Sequence, residues 1–575
     1  MVDNKKGDTM NNKIHIEKIL TNTGEETLKI NGYFIHSKYN PELEAKRLAD
    51  KYYVPHNAHI LFGYGNGYLV DAMLERSQFN EPLIVIDPLL DEGMLKVKKD
   101  HEELVIFNST IIEELNFHLR DFTKGIRTAF QVFCLPNYDK LFPEMYKKIL
   151  LKIKDVQISN QTNDFTLLWY AEQWQNNFTD NIFHFSKDFS LTLLHKAYTS
   201  PIIIVSGGPS LNKQIPLLKK VRDSVIVIAA GSTIRTLLAE SIYPDYVVSV
   251  DGSEKNYSHF EDTVFENTKL IYTTINQPKV RNSFIQKCYV TDMAGWNAFS
   301  RYIREELKIE LPVLIGGASV ANLVFSIAQY ISDGPIAIIG QDLAFTNNAT
   351  HALNNSQAEQ VDEAFLVKHK AFQTEGYYDE VVWTTRPLYS MKLDFESIVR
   401  NNYPNMPFFN CTEGGVKIKG FEQLPFTDFC EQYVTDEKVE IIKHDESQHI
   451  RLNVVKILQK DIKLYGKLID IFNDGLKVLA SNHSKTRFEE RVLKKLDRIE
   501  EKSQELLKQL PIESIVSPIT MKVMRGYLPK ENETAEETYE RIYNQTKDLY
   551  NELIHAIKKT KSYSKNAIDK YKSEE

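Results

Sequence analysis

Between residues 200 and 340 the chain repeats one pattern: a short run of β-branched and other apolar residues, then glycine or small polar residues, then a helix-like stretch. The runs are Ile202–Ser206, Ser224–Ala230, Tyr246–Val250, Leu270–Thr273, Cys288–Thr291, Val313–Ile315 and Ile336–Ile339. They stay apolar at consecutive positions instead of alternating, which is the signature of strands buried on both faces, as in a parallel sheet. An earlier stretch, "HILFGYGNGYLVDAMLERSQFNEPLIVIDPLL", has the same form: a strand ending in Gly63-Tyr64-Gly65-Asn66-Gly67, a helix, then the strand Leu83–Ile86 closed by Asp87. Residues 147–199, with "DFTLLWYAEQWQNNF", read as a helical connector, and from Thr435 onward Leu and Ile recur at helical spacing among Lys and Glu. The tail "KKTKSYSKNAIDKYKSEE" reads as frayed at its end. The expected class is α/β: an N-terminal α/β Rossmann-like domain (1–146), the connector (147–199), a central Rossmann-like, mostly parallel sheet domain (200–434) and a C-terminal helical domain (435–575).

Composition narrows the function classes. Of 575 residues, 70 are Lys or Arg and 78 Asp or Glu, and a formal charge of -8 does not suit a nucleic-acid binder. Cys134, Cys288, Cys411 and Cys430 are far apart without zinc-ligand spacing, which suggests a reducing compartment. The N-terminus has no continuous apolar export segment and no eighteen-residue apolar run occurs, so the expectation is a cytoplasmic protein without a membrane span.

Candidate chemistry sits at the strand tips, because ligands of open parallel sheets bind beyond the carboxyl ends of the strands. In "PIIIVSGGPSLNK" the strand breaks into Ser206, Gly207, Gly208, Pro209 and Ser210, and the bare glycines let backbone N–H groups approach a nucleotide or other anion. No GxxxxGK[ST] motif is present. Three further tips are small or polar: Gly231-Ser232-Thr233, Asp251, and Gly316-Gly317-Ala318-Ser319. Asp251 could bind a ribose hydroxyl, hold a metal or cap the next turn. The strand "GPIAIIG" then delivers Gly340, Gln341 and Asp342, and His351 follows on a polar loop where a neutral imidazole could be a general base. Thr412, Glu413, Gly414 and Gly415 form another polar turn. The GYGNGY loop followed by Asp87 partly matches a site for a nucleotide or S-adenosylmethionine, or is simply a tight turn.

"IVSGGPSL", "VSVDGS", "IGGASVANLVFSIAQYISDGPIAIIGQDLAF", His351 and "FFNCTEGGVKIKG" together resemble the motility-associated factor (Maf) flagellin glycosyltransferases over about residues 200–420. The same segment is similar, more distantly, to bacterial sialyltransferases that use a CMP-sugar, although Ser206-Gly207 replaces their usual Gly-Asn and Leu343-Ala344-Phe345 follows the aspartate. The resemblance implies a transferase that moves a nonulosonic acid, such as pseudaminic or legionaminic acid, from a CMP donor to Ser or Thr of flagellin. It implies a nucleotide held by Gly207–Ser210 and Gly316–Ser319, ribose or cytosine bound at Asp251, a sugar pocket completed by Thr412, Glu413 and Gly414, and catalysis by His351 with Asp342 at the strand end. No cofactor or metal is expected. Three readings compete: an ATP-dependent diphosphotransferase of the hydroxymethylpterin pyrophosphokinase-like kind with Asp251, Asp342 and Glu413 as metal ligands, a non-catalytic binder of flagellin or a sugar nucleotide, and a methyltransferase built on the GYGNGY domain.

Overall fold

The computed structural model describes residues 14–77, 81–90, 101–113, 115, 119, 130–294, 297–317, 319–355, 357–400, 407–484, 486–530 and 533–574. Residues 1–13, part of the N-terminus read above for an export segment, lie outside them. The chain forms two compact units, one made of Met1–Trp169 with Thr520–Asn532, the other of Tyr170–Ile519 with Glu533–Glu575.

The first unit carries an antiparallel sheet of β1 (Ile16–Leu20), β2 (Glu26–Ile30) and β3 (Tyr33–Phe34). Its parallel sheet has the order β6-β5-β4-β7, with β4 Ala58–Phe62, β5 Leu83–Ile86, β6 Leu104–Phe107 and β7 Phe130–Cys134. Ile60, Phe62, Ile84 and Ile86 are wholly buried in its core.

The second unit is built on a ten-stranded sheet in which every pairing is parallel. Its strands are β8 (Phe189–Ser190), β9 (Ile202–Val205), β10 (Ile226–Ala230), β11 (Tyr246–Ser249), β12 (Lys269–Thr273), β13 (Tyr289–Met293), β14 (Val313–Leu314), β15 (Ile336–Ile339), β18 (Phe408–Asn410) and β19 (Phe421–Gln423); β16 (Phe372–Glu375) and β17 (Val381–Thr384) pair apart as a hairpin. The order is β14-β13-β12-β11-β10-β9-β15-β18-β19, with β8 beside β13. β9, β10, β11 and β15 are buried along their whole length, which is why their sequences are apolar throughout except for Ser249 at the end of β11. The apolar helix Val320–Ile331 packs its Leu323, Val324 and Ile327 into the same core. Buried Asp188 fixes the edge near β8 by accepting bonds from Arg281 Nε (2.6 Å) and Nη2 (2.7 Å), Tyr272 OH (2.8 Å) and Cys288 N (2.9 Å).

The C-terminal part of this unit is helical, with Val454–Ala480, Glu490–Leu507 and Ala535–Glu574. The tail read as frayed is helix through Glu574, because Thr560, Ser564, Ala567 and Ile568 recur at helical spacing and are buried. None of the described helices is long and apolar enough to cross a membrane.

Candidate functional site

From β9 the chain builds outward through β10 to β14, then returns to place β15 on the other side of β9. The strand order therefore reverses between β9 and β15, the switch point at whose strand ends ligands of parallel sheets bind. Gly207–Ser210 and Gly340–Asp342 meet there. Gly208 N donates to Gly340 O (2.8 Å), Ser206 Oγ to Gln341 Oε1 (2.5 Å), and Ser210 donates to Asp342 from its N (3.2 Å to either oxygen) and its Oγ (2.6 Å to Oδ1). The Ser210 hydroxyl thus serves Asp342 instead of capping the helix Leu211–Val221.

A side chain at Gly208 would collide with the Asp342 carboxylate and lie 2.6 Å from Gly340 O. The close approach that this glycine permits is therefore made by the protein itself. Asp342 is wholly buried; burial raises its pKa, opposed by the donors from Ser210. Gln214 ties in the next tip: its amide donates to Cys411 O and to Thr412 O (2.7 Å) and accepts from Gly340 N (3.2 Å). Gln341 N donates to Thr412 Oγ1 (3.1 Å), and Gly414 abuts Ser210 Oγ. Glu413 accepts from Lys213 Nζ at its carbonyl (2.6 Å) and from Phe426 N at its carboxylate (3.2 Å). Two non-glycine residues of this floor, Leu343 (φ 51°) and Glu413 (φ 55°), hold left-handed backbone, a strain that persists only where surrounding bonds over-determine it.

Above the floor the loop carrying His351 is strapped down. Ala352 N donates to Gly207 O (2.9 Å), Leu353 N to Asn212 Oδ1 (3.1 Å) and Asn355 Nδ2 to Ser232 O (3.2 Å). His351 is half-buried with Nδ1 3.1 Å from Thr350 Oγ1, and burial lowers its pKa, favouring the neutral ring. Its electrostatic neighbour is His259, whose pKa is lowered by burial and then by the cations Arg235 and Lys255, with Asp251 opposing. Beside Gly207, Thr233 is fully buried and its hydroxyl has no hydrogen-bond partner among the described residues.

Asp251 is exposed, and its carboxylate caps the next turn by accepting from Ser253 N (2.8 Å) and Ser253 Oγ (3.0 Å). The residues around it are fixed from behind: Asn177 Nδ2 donates to Gly252 O (2.8 Å) and Ile275 O (3.1 Å), and Asn181 Nδ2 to Thr274 O (3.1 Å) and Asn276 O (2.8 Å). Gly231 lies under the Phe260 ring. The fourth tip is set apart. Gly316 and Gly317 follow the edge strand β14 and abut Met293 and Asn322, and Ser319 forms a capping box with Asn322; Ala318 lies outside the described residues.

The structure thus joins Ser206–Ser210, Gln341, Asp342 and Thr412–Gly414 by bonds and close contacts and brings Ser232 and His351 to them, while Gly316 and Gly317 follow β14, the fifth strand from β9. Sequence reasoning placed Thr233 at a candidate tip but missed Arg235, His259 and Asn355. Each is a single polar residue on a loop or short helix, and only its place in the fold singles it out. Among the described residues no group of three or more His, Cys, Asp or Glu is arranged to hold a metal ion.

The glycine loop of the first unit is filled by side chains. The Tyr138 ring lies against Gly63 and His36 against Gly65, and Asp87 accepts from Tyr64 N (2.6 Å), Tyr138 OH (2.9 Å) and Leu89 N (2.8 Å). His36 accepts from Asn66 N (3.0 Å), and burial pushes its pKa down to about 4.

Residues 176–348 match the family described as 6-hydroxymethylpterin diphosphokinase MptE-like. The solved structure titled "Structure of MAf glycosyltransferase from Magnetospirillum magneticum AMB-1" superposes on 97% of this chain and 95% of its own, with a TM-score of 0.58 at 13% identity. The two chains therefore share a fold over nearly their whole length. No curated protein matches the sequence significantly.

Proposed function

We propose that this protein is a glycosyltransferase that moves a nonulosonic acid, of the pseudaminic or legionaminic kind, from a CMP donor to serine or threonine hydroxyls of flagellin. The observation that carries the reading is the cluster of switch-point strand tips with the His351 loop bonded to Gly207, in a fold shared end to end with a Maf glycosyltransferase. The setting is the cytoplasm, in keeping with four free cysteines.

In this reading the nucleotide lies over Gly207, Ser232 and Asp251, while Asp342 is a positioning residue that fixes the Ser210 turn. Arg235 and Lys255 supply positive potential for the phosphate that leaves. The sugar–O bond to CMP breaks, the acceptor oxygen bonds to the same carbon, and the acceptor proton passes to the imidazole of His351. Burial suits His351 to this step by keeping it neutral at pH 7. No metal takes part; activity abolished by chelator and restored by magnesium would refute that.

The test is the intact mass of flagellin co-expressed with this protein and a source of CMP-nonulosonic acid, beside His351→Ala. Mass added in whole sugar units and lost in the variant supports both transfer and base. Mass that survives the substitution keeps the transferase and removes His351 as its base. No added mass, with folded protein and confirmed donor, leaves a non-catalytic binder or the second reading.

That second reading, an ATP-dependent diphosphotransferase, is favoured by the match over residues 176–348. The match ends before His351 and Thr412, and the three acids it would need as metal ligands are already engaged: Asp342 by Ser210, Asp251 by Ser253 and Glu413 by Phe426 N. AMP release from ATP on addition of a hydroxymethylpterin and magnesium would establish it.

A further inference from the structure

Far along the chain from the switch point, the helices Val454–Ala480 and Ala535–Glu574 pack antiparallel, Gly475 against Tyr550 and Gly466 against Lys561. At Gly475 the missing side chain brings the Tyr550 ring close, and the seam is apolar, with Phe472, Leu468 and Ile557 buried. At Gly466 the seam opens into a groove of about 400 Å³ lined by Gly466, Ile469, Asp470, Lys558, Lys561 and Lys565, with Ser562 at its rim.

The charge of this groove is not balanced. Lys558, Lys561 and Lys565 stand at i, i+3 and i+7 on one face of the helix, spanning about 10 Å at the rise of an α-helix. None of the three has an ion pair among the described residues, whereas other lysines of these helices do: Lys559 pairs with Glu172, Lys460 with Glu306 and Lys477 with Asp474. Asp470 is the one carboxylate of the lining. A concave cluster of unpaired cations on a chain of formal charge -8 is a local reversal of sign, the electrostatic form of a docking surface.

We propose that this groove docks an acidic helical segment of a partner protein whose carboxylates recur one and two turns apart, in register with Lys558, Lys561 and Lys565. The lining selects this occupant. It has no arginine to grip phosphate in bidentate fashion and no aromatic ring to stack a base, so nucleic acid fits poorly. Ile469 is its single large apolar residue, too little for a lipid surface. The proposal does not depend on the transferase reading, because binding is measured without donor or acceptor.

The experiment is fluorescence anisotropy of a labelled helical peptide with glutamates at i, i+3 and i+7, titrated with the full chain. The expected result is binding that weakens about tenfold or more with Lys558→Glu, Lys561→Glu and Lys565→Glu combined, and that also weakens between low and high salt. Reversing Lys495, Lys502 and Lys508, exposed lysines outside the groove, should change it less than about twofold. Gly466→Leu keeps every charge and occludes the notch, so it should also weaken binding; circular dichroism confirms that each variant is folded. Equal losses in both charge-reversed triples, no effect of Gly466→Leu, or no binding of the peptide would each overturn the proposal. So would tighter binding of a DNA duplex or of vesicles with anionic lipid, lost in the groove variant.

Discussion

The two parallel sheets of this molecule are built alike and used differently. Each ends a buried strand in glycines, and each sends a buried carboxylate, Asp87 or Asp342, to accept the backbone N–H of the turn that follows. In the first unit the space beyond those glycines is taken by the rings of Tyr138 and His36. In the second, Asp342 fills the place beside Gly208, but among the described residues Gly207 faces the Asn355 amide and the Thr233 hydroxyl, which has no partner there, and the adjacent His351 loop carries an imidazole that interacts with His259. A glycine-rich tip therefore shows where something approaches the backbone closely. Whether that is a ligand or the protein's own side chain depends on what stands over the tip.

The contrast is sharpened most by His351→Ala. Loss of a general base should lower transfer by about 10²–10⁴-fold while the melting temperature stays near that of the parent. The unsubstituted protein should show an acid limb displaced below that of a free imidazole: burial lowers the His351 pKa, the neutral form is the base, and activity rises with pH through that value and is flat above it. A limb displaced upward would contradict the assignment. Next, Gly208→Ala should cost about 1–3 kcal/mol in chemical denaturation, since the new methyl group meets Asp342 and Gly340 O. Tyr138→Phe in the first unit should cost about 1 kcal/mol by removing the bond to Asp87, with kcat and donor KM unchanged. A shift in donor KM there would mean that the first tip touches ligand, and the comparison would fail. The smallest stability effect belongs to Gly207→Ala, within about 1 kcal/mol, because its neighbours at 3.1 Å and 3.4 Å are side-chain ends. Donor KM should nevertheless rise, and an unchanged KM would place the ligand elsewhere.

The central strands were legible because a run such as Ile202–Val205, buried on both faces, leaves few alternatives to a parallel strand. β18 and β19 were not, being three residues each and made strands only by pairing with β15 and with each other. The strand order, and with it the switch point, follows from long-range packing that no local pattern carries. The same holds for Ser210 and Asp342, which are 132 positions apart, and for Gln214 with Thr412. In the C-terminal helix the density of lysine masked the buried stripe of Thr560, Ser564 and Ile568.

The composition of the first unit also sets a timetable for the chain. Thr520–Asn532 belongs to it, although the whole ten-stranded sheet is encoded in between. As the polypeptide emerges from the ribosome, this unit must wait for a segment made after the whole sheet, while the sheet can close from residues already at hand. A chain cut short before residue 520 would then damage both units at once, so a truncation meant to remove only the C-terminal helices would also leave the first unit unfinished.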